Sequence, residues 1–392
     1  MKHALSKVEG LIPALRFPEF VKEANWEYLF GNKLFEPISN KNHNSDLPIL
    51  AITQEQGAIP RELIDYHVSV SDKSIESYKV VEVGDFIISL RSFQGGIEYS
   101  NYLGLCSPAY IILRKKSDVM NDFYRHYFKS RPFIQDLNRN LEGIRDGKMV
   151  SYKQFSEILI PKPKKNEQQK IATCLSSLDE LISAHNDKLQ VLKDHKKGLM
   201  QNLFPQEGQK VPNYRFQEFE KDGEWVEKDL NDFCFNISSG KDKNQDNGKF
   251  DLYGSTGIIG RTDNASYDGD FILVARVGAN AGLLNRAKGQ FGVTDNTLVV
   301  NLKEPKKNDF IFYSLDKFGL NTLVFGSGQP LITGRQLKNL NLSIPPKPKE
   351  QQKIASCLSA LDEIITAQTE KIEQLQQHKK GLMQGLFPKI KE

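Results

Sequence analysis

The 392-residue chain has little of what most secreted, membrane-bound or catalytic proteins carry. Its four cysteines, Cys106, Cys174, Cys234 and Cys357, form no Cys-x-x-Cys pair and have no histidine array beside them. That argues against a disulfide framework and a zinc site, and leaves cysteine as a small buried apolar side chain. No stretch approaches the roughly 20 consecutive apolar residues that a membrane span requires. Met1-Lys2-His3-Ala4-Leu5-Ser6 has a basic residue but no apolar run or cleavage pattern behind it. The expected location is therefore cytoplasmic, with no membrane contact. Catalytic signatures are missing as well. There is no Asn/Asp-Pro-Pro-Tyr/Phe for adenine methylation, no Gly-x-x-x-x-Gly-Lys-Ser/Thr for ATP and no Pro-Asp…Glu-x-Lys nuclease pattern. Gly278-Ala279-Asn280-Ala281-Gly282 is rich in glycine but lacks nucleotide-loop spacing, so it reads as a tight turn between strands. No catalytic residue, cofactor or metal is assigned.

An excess of one charge is missing too. Lys and Arg number 53 against 49 Asp and Glu, a net charge of +4. Residues 1–157 carry 20 of each sign, and residues 206–342 carry 17 basic against 18 acidic. If these segments bind DNA, positive charge must gather on one face or partner subunits must supply part of it.

What the sequence has is a duplication. Residues 167–205 recur as 350–388 with 26 of 39 positions identical and no gap. A weaker echo pairs Ile12-Pro13, Arg16-Phe17, Glu19-Phe20 and Trp26 with Val211-Pro212, Arg215-Phe216, Glu218-Phe219 and Trp225. A third pairs Gly84-Asp85-Phe86-Ile87 and Arg91 with Gly269-Asp270-Phe271-Ile272 and Arg276. The division is 1–157 as a first globular domain, 158–205 as a first helical region, 206–342 as a second domain and 343–392 as a second helical region. Duplication starts both halves equal, yet only the globular parts have diverged, so one job is shared and the other differs.

The repeat reads as a helix. Ile171, Leu175, Leu178, Ile182, Leu189, Leu192, Leu199 and Leu203 follow steps of four and three with polar interruptions at His185 and Lys196, and the copy does the same from Ile354 to Leu386 with Gln368 and Lys379 at those positions. Ile160-Pro161-Lys162-Pro163 and Ile344-Pro345-Pro346-Lys347-Pro348 lead in; Phe204-Pro205 and Phe387-Pro388 end it. Asn166 with Gln169 fits a capping box in the first copy only. Gly198 and Gly381 mark a close approach or a break, because glycine inside a helix costs about 1 kcal/mol. Two equivalent halves in tandem close about a pseudo-two-fold axis if the helices form an antiparallel coiled coil. Polar residues retained in both copies, among them Glu167, Asp179 and Glu180, are read as surface. Within that set Gln168, Lys170, Lys196, Lys197, Gln351, Lys353, Lys379 and Lys380 are the candidate docking residues for a partner met twice.

The globular segments show short apolar strands such as 78–83, 85–89, 109–113, 271–274 and 297–300, with one helix each near 123–133 and 310–318. Each is an α+β module with a curved sheet. Ser151-Tyr152-Lys153-Gln154 and Thr333-Gly334-Arg335-Gln336 fit capping boxes, leaving Lys153 and Arg335 free to meet phosphate. Base reading favours Arg for guanine and Asn or Gln for adenine. The DNA-binding candidates are Arg91, Gln94, Arg145, Lys148, Arg276, Asn280, Gln329 and Arg335.

An Ile-Pro-x-Pro lead-in, then Glu-Gln-Gln-Lys-Ile-Ala, Leu-Asp-Glu and Lys-Lys-Gly-Leu-Met-Gln-x-Leu-Phe-Pro, all occurring twice, resembles the specificity subunits of type I restriction-modification systems over essentially the whole chain. The resemblance implies two target-recognition domains, each reading one half of an interrupted site in double-stranded DNA, and an antiparallel coiled coil between them. It implies two modification (methylase) subunits as partners, which bind S-adenosylmethionine and methylate adenine, and ATP-driven restriction subunits. The other class compatible with the residues is a non-catalytic scaffold with two protein-binding modules on a coiled coil.

Overall fold

The computed structural model describes residues 12–64, 75–116, 119–139, 150–324 and 331–388. The chain forms two units, 1–185 with 371–392 and 186–370.

In the first unit, β1 (Glu27–Phe30) leads through α1 (Gly31–Leu34) into β2 (Phe35–Ile38), followed by the hairpin β3 (Leu50–Thr53) and β4 (Gly57–Pro60). Then come β5 (Lys79–Val81), β6 (Phe86–Ile88), α2 (Ser92–Gly95), β7 (Glu98–Tyr99), β8 (Gly104–Cys106) and β9 (Ile111–Lys115). The main sheet has the order β2-β9-β6-β7, and β3 with β4 and β5 with β8 form two-stranded ribbons. The expected single helix near 123–133 is two, α3 (Asn121–Tyr127) and α4 (Arg131–Arg139). Pro132, second in α4, has no N–H to give the Phe128 carbonyl and its ring crowds that carbonyl, so one helix cannot run through; in the first turn of α4 the missing donor is tolerated. After α5 (Tyr152–Ser156), β10 (Leu159–Lys162) pairs antiparallel with β1 and leads into α6 (Lys165–Leu203).

The second unit repeats this plan on different sequence. It runs β11 (Val226–Asp229), α7 (Leu230–Phe233), β12 (Cys234–Ser239), the hairpin β13 (Phe250–Gly254) and β14 (Gly257–Thr262), β15 (Tyr267–Ala275), β16 (Leu284–Val293) and β17 (Thr297–Leu302). α8 (Asn308–Phe318), α9 (Gly334–Lys338) and β18 (Asn341–Ile344) follow, and α10 (Pro348–Leu386) ends the chain's regular structure. Six of its strands form one sheet, β12-β17-β15-β16-β13-β14, while β11 pairs with β18 as β1 does with β10. The long β15–β16 ribbon carries Gly269 opposite Gly289, both at positive φ, and β12 and β13 each contain a register shift. These are the bulges and glycines with which a sheet acquires curvature.

Both helices are continuous for 39 residues, close to 60 Å at about 1.5 Å per residue. Within the first unit Ile171 and Leu175 share a core with Leu386 and Phe387, and further along Asp179 pairs with Lys379, so the two stretches run antiparallel. Within the second unit Leu203 shares a core with Ile354 and Leu358, and Lys196 pairs with Asp362 at 2.7 Å in the same sense. Two details of the sequence reading are corrected. α6 starts at Lys165, so Asn166 lies inside the helix, and Gln169 bonds to Thr173 instead of closing a capping box. Neither Gly198 nor Gly381 breaks its helix, and a Cβ added at either would meet nothing within 4 Å. Both expected boxes at Ser151–Gln154 and Thr333–Gln336 are formed.

Candidate nucleic-acid interface

The lead-in echo is explained by a buried ion pair in each unit. Arg16 reaches across 151 residues to Glu167, with Nε and Nη2 on the two carboxylate oxygens at 2.7 and 2.8 Å. Arg215 holds Glu350 the same way at 2.8 and 2.8 Å. Both carboxylates are buried, at 1% and 0% exposure, and both arginines are at 6%. Bonding to the carboxylate raises each guanidinium pKa. The first turn of each long helix is thereby tied to the lead-in motif of its own unit. Backbone bonds tie the same segment to the end of the other helix, Leu15 N–H to Gly385 O and Tyr214 N–H to Asn202 O, both at 2.9 Å.

These pairs change the reading of the retained polar residues. Glu167 and Gln168 are not surface: Gln168 is 1% exposed, its amide donates to the Pro163 carbonyl at 2.7 Å, and it accepts from Met120 N–H. Gln351 is buried likewise and donates to Pro345. Lys196 and Lys379 serve the helix pair itself through Asp362 and Asp179. Lys170 and Lys353 are exposed, each over a phenylalanine ring of the lead-in motif and within 3.0 and 3.2 Å of Glu19 and Glu218. Lys197 and Lys380 are exposed.

The docking of each module on its helix uses one position twice. His126 of α3 meets Ser176 Oγ at 3.1 Å and lies 3.8 Å from Asp179. In the second unit Tyr313 of α8 occupies the matching place, with its hydroxyl 3.2 Å from Ser359 and donating to Asp362 at 2.7 Å. Burial, aided by the cations Arg125 and Lys379, pushes His126 down to about 3. The imidazole is therefore neutral at neutral pH even though Asp179 is near, since that carboxylate already holds Lys379. The unfolded histidine takes up its proton near pH 6.5 and the folded one does not. Stability from this site is thus complete above about pH 6.5 and is lost as pH falls toward 3. Asp136, pushed up to about 6 by burial, works in the opposite direction. The readout is therefore a difference: His126→Gln should lose less stability than the unsubstituted chain between pH 7 and 4 in urea unfolding, and identical losses would contradict this assignment.

Of the DNA-binding candidates, Arg91 and Gln94 are exposed at the two ends of the short turn α2. Arg276 is half-buried directly after β15, and Asn280 is exposed in the 3-10 turn Gly278–Asn280. Arg335 is exposed on α9 and Lys153 on α5. Arg145, Lys148 and Gln329 lie outside the described residues. The structure adds what the sequence reading missed. In each unit a hairpin tip, 53–57 or 254–257, bonds to the neighbourhood of the arginine loop, through Gln54 Nε2 to Arg91 O at 3.3 Å and Ser255 Oγ to Asn296 O at 3.3 Å. Glycines beside polar residues in each tip were the available signal.

The family profile described as "Type I restriction modification DNA specificity domain" matches residues 30–194 and again 222–377. The type I restriction enzyme MjaVIII specificity subunit of Methanocaldococcus jannaschii is 28% identical over 420 residues, covering 95% of this chain and 93% of that protein. The EcoprrI specificity subunit of Escherichia coli is 32% identical over 121 residues, 31% of this chain and 30% of its own length. Among solved structures, the S subunit of a type I restriction-modification system from M. genitalium superposes with a TM-score of 0.64 at 16% identity, covering 96% of this chain and 99% of its own. Among the described residues no helix is long and apolar enough to cross a membrane, and no group of His, Cys, Asp and Glu could hold a metal ion.

Proposed function

The chain belongs to the type I restriction-modification DNA specificity family, and from that premise we propose that each unit reads one half of an interrupted duplex DNA site while the long helices hold two methylase subunits. The observation that carries this is the double one: two specificity domains of unlike sequence, each followed by the same helix. Two different targets and one partner met twice require that distribution. Residues 1–157 and 206–342 are the reading domains in this account; 158–205 and 343–392 are the shared helical regions. The chain supplies selection, and the methylase and restriction subunits supply the chemistry.

The docking face is narrower than the sequence suggested. Gln168 and Gln351 are buried, and Lys196 and Lys379 are spent within the helix pairs. Of the docking candidates, Lys170, Lys197, Lys353 and Lys380 are the ones left facing outward. Arg335 and the turn arginines are the matching candidates for DNA phosphate and bases. Reversing charge at Lys197 and Lys380 together (Lys197→Glu, Lys380→Glu) should lower the occupancy of methylase subunits on the co-expressed chain. Each exposed charge contact is worth roughly 0.2–1 kcal/mol, so a several-fold loss across the pair is expected. Native mass spectrometry reads it, and unchanged two-to-one assembly would count against this face.

A further inference from the structure

In the first unit a hairpin tip bonds the loop that follows the Gly-Asp-Phe-Ile motif, and in the second the tip bonds the β16–β17 turn whose Asn296 carbonyl holds Arg276 N–H; the residues at the two junctions differ. In the first unit the tip is closed by Thr53, whose hydroxyl donates to Gly57 O at 3.1 Å and accepts Gln56 N–H at 3.0 Å. Gly57 turns the chain at φ +74. Gln54 anchors the tip: besides its bond to Arg91 O, its own carbonyl accepts from Lys129 at 3.2 Å. Its side chain also fills the space over Gly95, where a Cβ would lie 2.7 Å from Gln54 Cδ. The exposed polar side chains at this junction are Glu55, Gln56, Arg91 and Gln94.

In the second unit the tip is anchored by Ser255 on Asn296 O, and that same carbonyl accepts Arg276 N–H at 2.9 Å. Thr294 N–H donates to Tyr253 O at 3.0 Å, and Asn285 of β16 faces Gly257, whose added Cβ would sit 3.4 Å from Asn285 Oδ1. Polar atoms are left over here. Arg276 Nε, Asn285 Nδ2 and Thr294 Oγ1 are buried and have no hydrogen-bond partner. Folded proteins rarely leave buried donors unpaired, and a cluster of them on one loop junction suits a ligand that supplies acceptors.

We infer that these two junctions are the base-reading elements: Gln56, Arg91 and Gln94 in the first unit, and Arg276 and Asn285 in the second. A two-stranded ribbon fits the major groove, where arginine pairs with guanine and asparagine or glutamine with adenine. In both units a hairpin tip is held close to the arginine that follows the shared motif's strand, whereas Thr-Gln-Glu-Gln-Gly in one tip and Gly-Ser-Thr-Gly in the other present different hydrogen-bonding edges. That is the arrangement needed by modules that hold DNA alike and read it differently. The inference rests on the DNA-reading proposal above.

The test uses the full chain co-expressed with the methylase subunits of its system, with the methylated adenines of the host genome mapped by single-molecule sequencing. Gln56→Ala with Gln94→Ala should relax one or two positions in one half-site. Asn285→Leu should relax a position in the other half-site only. Each loss is expected at about 10- to 100-fold in discrimination. Removing a buried unpaired amide should leave the unfolding midpoint of Asn285→Leu unchanged or higher, a result that separates reading from structural support. If Asn285→Leu fails to accumulate, the exposed pair Gln56 and Gln94 decides by itself. A wild-type motif that stays intact in every variant overturns this inference and leaves the DNA-reading proposal standing. A wild-type chain that directs methylation to no motif overturns both.

Discussion

Replacing Glu350 by alanine should cost the second unit roughly 3–5 kcal/mol, the loss found when one member of a buried ion pair is removed and the other is left uncompensated. Arg215 would keep a carbonyl bond to Gly223 at 2.7 Å but lose both carboxylate bonds. Trp225 would lose as well, since its Nε1 donates to Glu350 Oε1 at 3.3 Å. The first unit lacks that third member: Trp26 Nε1 has no hydrogen-bond partner. Glu167→Ala should therefore be the milder of the two by about 1 kcal/mol, one hydrogen bond's worth. Replacing both charges with apolar residues of similar size, Arg215→Met with Glu350→Leu, should recover most of the loss. Urea unfolding with a probe in each unit reads all of this, because a chain of two units need not unfold in one step. Equal and small losses for Glu167→Ala and Glu350→Ala would show that the pairs do not hold the lead-in segments to the helices.

Exchanging a reading domain should have the largest functional effect. With 206–342 replaced by the corresponding segment of another family member, methylation should move to a site in which one half is new and the other is unchanged. Specific sites are bound about 10³- to 10⁷-fold better than other sequence, so the old site should become indistinguishable from background. The structure sets a condition on the graft. Arg215 lies inside the exchanged segment and Glu350 outside it, and β11 pairs with β18 across the same segment. The donor must therefore bring its own arginine and tryptophan at the positions of Arg215 and Trp225, or the graft inherits the buried-charge penalty described above. A change in both halves, or in neither, would rule out one reader per half-site.

Local signals in the sequence were sufficient for much of this fold. The long helices show in their three-and-four spacing because nothing but a helix uses that period, and the boxes at Ser151 and Thr333 are four-residue devices that need no tertiary context. The direction of the helices followed from the tandem halves, and each unit by itself shows it. What was not legible depends on partners far along the chain. Glu167 reads as an exposed polar residue of a heptad until Arg16, 151 residues earlier, is placed beside it. The echo of Arg16 in Arg215 was visible, but two arginines repeated do not name their acids. The same limit hid the hairpin tips. Gln54 and Ser255 share no residue type, and their common role lies in backbone contacts that sequence similarity does not record. Gly198 and Gly381 remain unexplained by packing within the chain, and nothing in the structure accounts for their retention. Family membership, in turn, decides between the DNA reader and the protein-binding scaffold that near-neutral domains had left open.

The most direct measurement is the methyladenine map of a host that expresses the chain with its methylase subunits, compared with the same host given the methylase subunits alone. The account predicts one motif made of two defined blocks separated by unspecified base pairs, present only when the chain is present. A single uninterrupted block, or the same methylation with and without the chain, would contradict it.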